Sequence, residues 1–193
     1  MEKSNVWIKR VLLGFLVVAL ACTLGTTLVG CGASEEDKVK EAISTELDLV
    51  KNNDAATIEE LEGSFSSQFS QLGIESNDFI SSWLEGFDYS IDSVTIDGDS
   101  AEANVTITAK QLVPVLSAWQ TDFEGYVAEN ASLGYSELMK QAGSSFMEDL
   151  NAAEPTTSTV TLPLQKSSDG TWTLTSEAST EFSNVIVGDI SSL

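Results

Sequence analysis

Residues 88–109 read DYSIDSVTIDGDSAEANVTITA, and this stretch decides the fold. From Ala101 to Ala109, small or apolar residues alternate with polar ones, which is typical of a strand with one buried and one solvated face. Asp97-Gly98-Asp99 contains the residue types that a tight turn between two strands favours. Asp88–Ile96 is predicted to be the partner strand on the other side of this turn. The stretch therefore predicts an antiparallel β-hairpin.

The first strand of this hairpin changes parity along its length. Its apolar residues occupy odd positions up to Ile91 and even positions from Val94 onward. One extra residue inserted in the strand would return the apolar side chains to the same buried face. The pattern therefore predicts a β-bulge near Asp92 or Ser93.

A second hairpin is predicted nearer the C-terminus. Apolar residues alternate along 160–164, Ser168-Asp169-Gly170 supplies a turn, and Trp172–Leu174 forms the returning strand. Pro163 has no backbone N–H to donate, so its strand lies at a sheet edge or its missing donor points outward. The residues before this hairpin, Pro155–Thr159, are polar and are interpreted as a linker.

Helices are predicted where apolar residues recur at intervals of three or four. The predicted helical segments cover residues 35–52, 54–61, 65–72, 76–87, 112–127, 138–150 and 180–187. Ser76 is expected to cap the fourth of these segments, and Ser179 or Thr180 the last. The segments before and after the turn at Leu133-Gly134 form a helical hairpin. Gly188 is expected to end the last helix.

Length and composition indicate one folded domain behind a short leader. The chain has 193 residues, 42% of them hydrophobic, which is enough for one ordinary domain with a real core. Its formal net charge is −21, although the first ten residues are cationic. An acidic body repels nucleic acid and anionic lipid headgroups, so binding to phosphate backbones is excluded as a main role.

The residue types that are missing after the leader exclude several kinds of site. Beyond residue 30 there is no His and no Arg, and Cys31 is the single cysteine. This removes Ser-His-Asp and Cys-His catalysis, imidazole or thiolate metal sites, and guanidinium clamps for phosphate. No cofactor is indicated, and the protein is expected not to be an enzyme.

The first 31 residues have the order of a lipoprotein leader. A cationic stretch ends at Lys9-Arg10, and an apolar stretch follows from Val11 to about Cys22. Leu28-Val29-Gly30-Cys31 then resembles the bacterial lipobox, in which the cysteine thiol receives a diacylglyceryl group and the bond before it is cut. We expect residues 1–30 to be a signal peptide, 31–34 the lipidated cysteine and a short tether, and 35–193 a single domain.

Two alternatives to this anchor remain open. Residues 11–30 are long enough to span a bilayer uncut, as a signal anchor. Cys22 could be the lipidated position instead, but it has Ala19 rather than Leu three residues upstream. In the preferred interpretation, lipid on Cys31 holds the domain against the extracytoplasmic side of a bacterial membrane, with each buried methylene contributing about 0.8 kcal/mol.

The order of elements carries a resemblance to known proteins. The residues that carry it are Phe87-Asp88-Tyr89, Val94–Ala101, Asp169–Trp172 and Phe182–Gly188. The chain resembles bacterial lipoproteins of unknown function whose domain is similar to the cone-shaped α+β fold of nuclear transport factor two and ketosteroid isomerase. The resemblance implies a curved antiparallel sheet of two β-hairpins, packed by N-terminal helices and an inserted helical hairpin.

Six aromatic residues are candidates for lining an apolar ligand pocket between sheet and helices. They are Trp83, Tyr89, Trp119, Phe123, Tyr126 and Trp172. Each also lies on the periodic apolar face of its own element, which ordinary core packing already explains. The predicted function is a non-enzymatic binding or interaction module whose partner is a small apolar ligand or an envelope protein.

Acidic residues offer weaker candidates. Asp97, Asp99 and Glu102 could suggest Ca²⁺, but they lack the loop and the distal bidentate glutamate of an EF-hand, so no metal site is predicted. The groups at residues 35–37 and 59–62 are interpreted as solvated helix faces. Two alternative functions remain, an accessory domain of an envelope protein complex and a carboxylate-and-tyrosine enzyme of the ketosteroid-isomerase type.

Overall fold

The computed structural model describes residues 33–54, 58 and 69–188. The predicted leader, the lipobox Leu28–Cys31, most of the helix predicted over 54–61 and the acidic group at 59–62 lie outside the described residues. None of the described helices is long and apolar enough to cross a membrane.

The fold is α+β, with a curved antiparallel sheet that does not close on itself. Its strands are β1 (Asp88–Asp97), β2 (Ser100–Ala109), β3 (Thr156–Lys166) and β4 (Trp172–Leu174). They are hydrogen-bonded in the order β1-β2-β3-β4, so each predicted hairpin contributes two neighbouring strands. This architecture agrees with the predicted fold class.

Two helices cover one face of the sheet. They are α1 (Glu35–Lys51) and α5 (Ser176–Val187). The residues between them and the strands form one buried cluster, which we call the sheet core. It includes Val39, Ile43 and Leu47 of α1, at the spacing that the sequence predicts. The opposite face of the sheet carries mostly hydroxyl and carboxylate side chains, so one face is dry and the other wet.

The remaining helices form a second cluster, which we call the helical core. They are α2 (Ser76–Leu84), α3 (Leu112–Glu129) and α4 (Tyr135–Ala152). A helical turn at residues 69–72 also joins this core and ends at Gly73, whose φ is 69°. Both α3 and α4 are inserted between β2 and β3, so the base of this hairpin lies at the end of the sheet opposite the β1–β2 turn.

The predicted bulge in β1 is confirmed. The register against β2 shifts between Ile91 and Ser93, which leaves Asp92 as the extra residue. Beyond the bulge the strand ends in a tight turn, where Gly98 has a φ of 61°. Glycine adopts this left-handed conformation without the steric cost that a side chain would bring.

The predicted capping residues of two helices are wrong. Ser76 is the first helical residue of α2, and Glu75 is its N-cap without a side-chain hydrogen bond. At α5 the cap is Thr175, whose Oγ1 accepts a hydrogen bond of 3.2 Å from the amide of Ala178. Ser179 and Thr180 are already helical, and their hydroxyls donate to carbonyls one turn earlier. Strand β4 ends at Leu174, so Thr175 is the residue in the N-cap position and the helix starts at Ser176.

The fourth predicted helical segment is also too long. The sequence pattern extends it to Phe87, but α2 ends at Leu84. Gly86 follows with a φ of 78°, a conformation that terminates the helix. Phe87 instead packs in the sheet core just before β1 begins.

Pro155–Thr159 is not a linker, because β3 already begins at Thr156. Its first residues pair with the end of β2, from Ala109 opposite Thr156 onward. Threonine hydroxyls join the two strands on the wet face, at 2.9 Å between Thr108 and Thr157. Cross-strand threonine pairs of this kind stabilise a sheet, and they explain why a polar segment is a strand.

Pro163 lies in a strand with neighbours on both sides, so its strand is not an edge strand. Its carbonyl accepts a hydrogen bond of 3.1 Å from the amide of Thr175. The N–H and C=O of a strand residue point to the same side, so the position of the missing donor faces away from β2. The edge-strand alternative is therefore wrong, and the missing donor lies on the β4 side, just beyond the last β3–β4 pair of Leu164 with Leu174.

Candidate functional site

The structure separates the six predicted aromatic residues into two groups. Trp83 and Trp119 are buried in the helical core, Phe123 packs against it, and Tyr126 stacks on Phe123. The other two, Tyr89 and Trp172, belong to the sheet core. Four of the six are therefore brought together by α2 and α3, and they share no cluster with the remaining pair.

The four grouped residues belong to a longer row of neighbouring rings, which we call the aromatic row; four of its five ring pairs are stacked and Trp119–Phe146 is edge-to-face. In spatial order its members are Trp83, Phe79, Phe146, Trp119, Phe123 and Tyr126. Successive ring centroids lie between 5.5 Å and 6.2 Å apart, within the range for favourable aromatic pairs. Phe79 and Phe146 were not among the predicted site residues, although both lie at the helical spacing of their elements.

The outer end of the aromatic row reaches the surface. The Trp119 and Phe123 rings are nearly parallel, at 8°, and Tyr126 continues the stack at 15°. Phe123 and Tyr126 are half-buried, whereas Trp119 is buried. Tyr135, at the start of α4, is 73% exposed. We call Phe123, Tyr126 and Tyr135, together with the half-buried Leu133 and Leu138, the hairpin tip.

The two indoles of the row, one at its inner end and one in its middle, make hydrogen bonds inside the fold. The indole of Trp83 donates to the carbonyl of Lys110 at 3.1 Å. The indole of Trp119 donates to the carbonyl of Ala142 at 3.0 Å. Because these donors are used inside the fold, the two indoles hold the helices in place, and the row is accessible at the hairpin tip.

Lys110 is a buried cation that sequence analysis missed. Its side chain is 3% exposed and lies at the junction of β2 and α3. Its Nζ donates to Glu85 Oε2 at 2.9 Å and to the carbonyl of Leu150 at 3.2 Å. The ammonium therefore links α2, α4 and the end of the sheet, and it lies where the C-terminal dipole of α4 favours positive charge. Its position between Ala109 and the apolar start of α3 is the local signal for burial.

Tyr89 and Asp48 form a hydrogen-bonded pair of the two residue types that the enzyme alternative names. The hydroxyl of Tyr89 donates to Asp48 Oδ1 at 2.7 Å, between β1 and α1. Lys51 lies over the tyrosine ring and pairs with Asp88 at 2.6 Å. Burial is the main cause that raises the pKa of Tyr89 above its usual value. Asp48 itself is exposed, so this pair lies at a wet surface of the sheet core.

Glu46 is a second carboxyl group in an unusual environment. Its Oε2 is buried and has no hydrogen-bond partner among the described residues. Burial raises the pKa of this carboxyl above its usual value. Glu46 lies on α1 beside the buried Leu47.

Glu35 has a structural role that the prediction of a solvated helix face missed. Its carboxylate accepts hydrogen bonds from Lys166 Nζ at 2.6 Å, Lys38 Nζ at 2.7 Å and the indole of Trp172 at 3.1 Å. The hydrogen bond from Lys166 is the main cause that lowers the pKa of Glu35 to about 2. The start of α1 is thereby joined to the second β-hairpin.

The three residues weighed for Ca²⁺ are exposed on and beside the β1–β2 turn. They are Asp97, Asp99 and Glu102. Asp99 stabilises the turn through its backbone, because its carbonyl oxygen accepts a hydrogen bond of 2.8 Å from the amide of Lys166. Within residues 33–54, 58 and 69–188, no group of three or more His, Cys, Asp or Glu side chains could hold a metal ion.

Comparison with known proteins gives one result on the fold. No protein-family model matches the chain, and no curated protein matches it. The crystal structure of a candidate lipoprotein from Bacillus subtilis, ycdA, is similar over 80% of this chain, with a TM-score of 0.50 and 14% sequence identity. The chain spans 57% of the length of that protein. The chain therefore shares its fold with a candidate bacterial lipoprotein.

Proposed function

We propose that the chain is a lipid-anchored lipoprotein on the extracytoplasmic side of a bacterial membrane, and that its domain is a non-enzymatic interaction module. Leu28-Val29-Gly30-Cys31 supports the anchor, because it follows a cationic and then an apolar leader. The shared fold with a candidate lipoprotein supports the same assignment. The finer likeness to the nuclear transport factor two fold is part of this proposal, carried by the predicted cone-like sheet and its helices.

The hairpin tip is the observation that carries the interaction module. Tyr135 is the exposed large hydrophobic side chain of the described residues, and the half-buried Phe123 and Tyr126 lie on the same hairpin. Tyrosine and tryptophan are enriched among the few residues that dominate the binding energy of protein interfaces. They lose little conformational entropy on binding, because each has two side-chain torsions, and they bury a large area. An aromatic row that is rigid inside and accessible outside suits recognition of another protein.

The polar groups favour binding over catalysis. The buried Lys110 is bonded to Glu85 and to a carbonyl, and the buried indoles donate within the fold. These groups are therefore occupied by structure. An accessory domain of an envelope complex would use the same hairpin tip, so it is the nearest alternative to a free-standing binding module.

The carboxylate-and-tyrosine enzyme is a second candidate because of one observation, the 2.7 Å hydrogen bond between Tyr89 and Asp48. In that function the carboxylate would act as a base and the phenol as a hydrogen-bond donor. Asp48→Asn would then abolish the activity while leaving partner binding at the hairpin tip intact. Binding that is lost only on changes at the tip would instead support the interaction module.

The anchor is tested by two matched cysteine changes. Cys31→Ser removes the proposed acylation site, and Cys22→Ser removes the alternative one. We expect the first variant to lose the incorporated lipid label and to keep its leader uncut, because the cut before residue 31 acts on the acylated cysteine. The second should behave as the unchanged protein. Retention of lipid label by Cys31→Ser would refute the anchor at this position.

The interaction module is tested by cross-linking in living cells. A photoreactive phenylalanine analogue replaces Tyr135 in one variant and Thr95, on the wet face of the sheet, in a control. We expect one discrete adduct from position 135, lost when Phe123→Ala is added, and none from position 95. Equal adduct yields from both positions, or an adduct yield from position 135 that Phe123→Ala does not change, would show that the hairpin tip is not the binding surface.

A further inference from the structure

Three segments meet at one end of the sheet, and we call them the anchor pole. They are residues 34–40 at the start of α1, the β1–β2 turn at 97–100 and the β3–β4 turn at 165–171. Glu35 joins the first to the third through Lys166 and Trp172. The backbone amide of Lys166 and the side-chain amide of Gln165 both donate to the carbonyl of Asp99. These hydrogen bonds join the β1–β2 turn to the β3–β4 turn.

The path of the chain ahead of α1 is fixed from Ser34 onward. The hydroxyl of Ser34 accepts from the amide of Asp37 at 3.1 Å, and the carboxylate of Asp37 accepts from the amide of Ser34 at 3.1 Å. This capping box defines the first residue of the helix. Between Cys31 and Ser34 lie two residues, Gly32 and Ala33. At about 3.5 Å per residue, a chain of this length reaches roughly 10 Å.

We infer that the anchor pole is the surface of the domain that faces the lipid bilayer. This inference rests on the proposed lipid at Cys31, since the short tether then leaves no other described surface as close to the headgroups. From Ser100 to Ala109, β2 extends away from the pole by roughly 30 Å. The base of the α3–α4 hairpin lies at that far end, near Ala109 and Thr156.

The charges of the pole specify the kind of lipid surface that it fits. It carries six carboxylates, those of Glu35, Glu36, Asp37, Asp97, Asp99 and Asp169. Its three lysines, Lys38, Lys40 and Lys166, are each in an ion pair with Glu35 or Glu36. The pole therefore has a net charge of −3 and its cations are already partnered. Such a surface is repelled by anionic headgroups and fits a zwitterionic or neutral membrane surface.

The ion pairs of Glu35 also determine how firmly the domain holds this orientation. The α1 helix is attached to the sheet core by Val39, Ile43 and Leu47, so loss of the Glu35 contacts leaves the fold intact. It would free the first turn of α1, and the domain would then tilt on its tether. Glu35→Gln therefore tests orientation separately from folding.

The experiment uses the full lipidated protein in phosphatidylcholine vesicles, with one fluorophore at a time. Acylation leaves no free thiol on Cys31, and no other cysteine follows it, so a single introduced cysteine is labelled cleanly. Asp99→Cys places the label at the anchor pole, and Glu154→Cys places it at the far end of the sheet. Both replace an exposed acidic residue, so they are matched in charge. A nitroxide on the lipid headgroup quenches fluorophores at short range.

We expect strong quenching at position 99 and at least fivefold weaker quenching at position 154. Adding Glu35→Gln should bring the two values closer together. If the protein floats with the vesicles and quenching is equal at the two positions, or stronger at position 154, the proposed orientation is wrong. If the protein does not float with the vesicles, the anchor itself fails, which is a separate result.

Anionic lipid supplies the second arm of the test. Replacing a third of the phosphatidylcholine by phosphatidylglycerol should reduce quenching at position 99, and 1 M salt should restore it, because the Debye length falls to about 3 Å. The Asp97→Asn and Asp169→Asn changes together should weaken this effect. An increase of quenching on anionic vesicles would contradict the proposed electrostatic character of the pole.

Discussion

Gly143 leaves no room for a side chain in the helical core, and its replacement by alanine gives a sharp test of the packing. A Cβ at this position would lie 2.0 Å from the carbonyl oxygen of Leu72 and 3.0 Å from its carbonyl carbon. Both are backbone atoms, so a side-chain rotation cannot relieve the overlap. We therefore expect Gly143→Ala to push α4 away from the segment around Leu72.

The expected magnitude follows from two opposing terms. In a helix interior, alanine is favoured over glycine by about 1 kcal/mol. Overpacking a core costs typically about 1–3 kcal/mol, and contact with backbone puts Gly143→Ala at the upper end. The net loss of unfolding free energy is then about 2 kcal/mol, which lowers Tm by roughly 4–8 °C for a domain of this size.

Gly125 provides the matched control, because it lies within α3 and a Cβ there meets no atom within 4 Å. Gly125→Ala should gain up to about 1 kcal/mol from helix propensity alone. Urea unfolding followed by tryptophan fluorescence measures both variants. The two changes should have opposite signs. If Gly143→Ala stabilised the protein as much as Gly125→Ala, the packing of α4 against Leu72 would be wrong.

Three further changes test single contacts by urea unfolding. Thr175→Ala should cost about 1 kcal/mol because it removes the cap of α5, whereas Ser179→Ala should cost far less, and equal losses would contradict the cap. Lys110→Met should cost about 1–3 kcal/mol, because it leaves the carbonyl of Leu150 without its buried donor, and an unchanged midpoint would contradict that contact. Burial raises the folded-state pKa of Glu46, so the stability linked to this carboxyl is present at low pH and lost as pH rises through that pKa. Glu46→Gln should therefore have a larger free energy of unfolding than the unchanged protein at pH 8, with a smaller difference at pH 4. A difference that increased toward pH 4 would contradict the raised pKa of Glu46.

Local periodicity explains why most elements could be predicted from the sequence. The parity change in β1 has one simple physical solution, an extra residue, and the structure has it at Asp92. The start of β3 could not be recognised in the same way. Its polar residues reflect the wet face that they occupy, and their strand conformation depends on pairing with Thr106 and Thr108 of β2. Those partners lie about fifty residues away, so no local pattern reveals them.

The same reasoning explains the outcome at the candidate site. Helical or strand spacing indicates which face of one element is buried, but it does not indicate which core that face enters. The six predicted aromatic residues therefore divided between two cores, with Trp119 in the helical core and Trp172 in the sheet core. Glu35 was missed for a related reason, since its partners Lys166 and Trp172 lie 131 and 137 residues away in sequence.

Hydrogen bonds connect the anchor pole to the base of the α3–α4 hairpin through the sheet. Glu35 joins the start of α1 to the β-hairpins at the anchor pole, and the strands extend from there to the far end of the sheet. At that end Lys110 binds the carbonyl of Leu150, while the indole of Trp83 binds the carbonyl of Lys110. These buried hydrogen bonds connect the sheet to α4 and α2, so the base of the hairpin is held by the sheet. A partner that binds the hairpin tip would therefore act on a rigid projection, because its aromatic row is continuous with the core that Lys110 fixes.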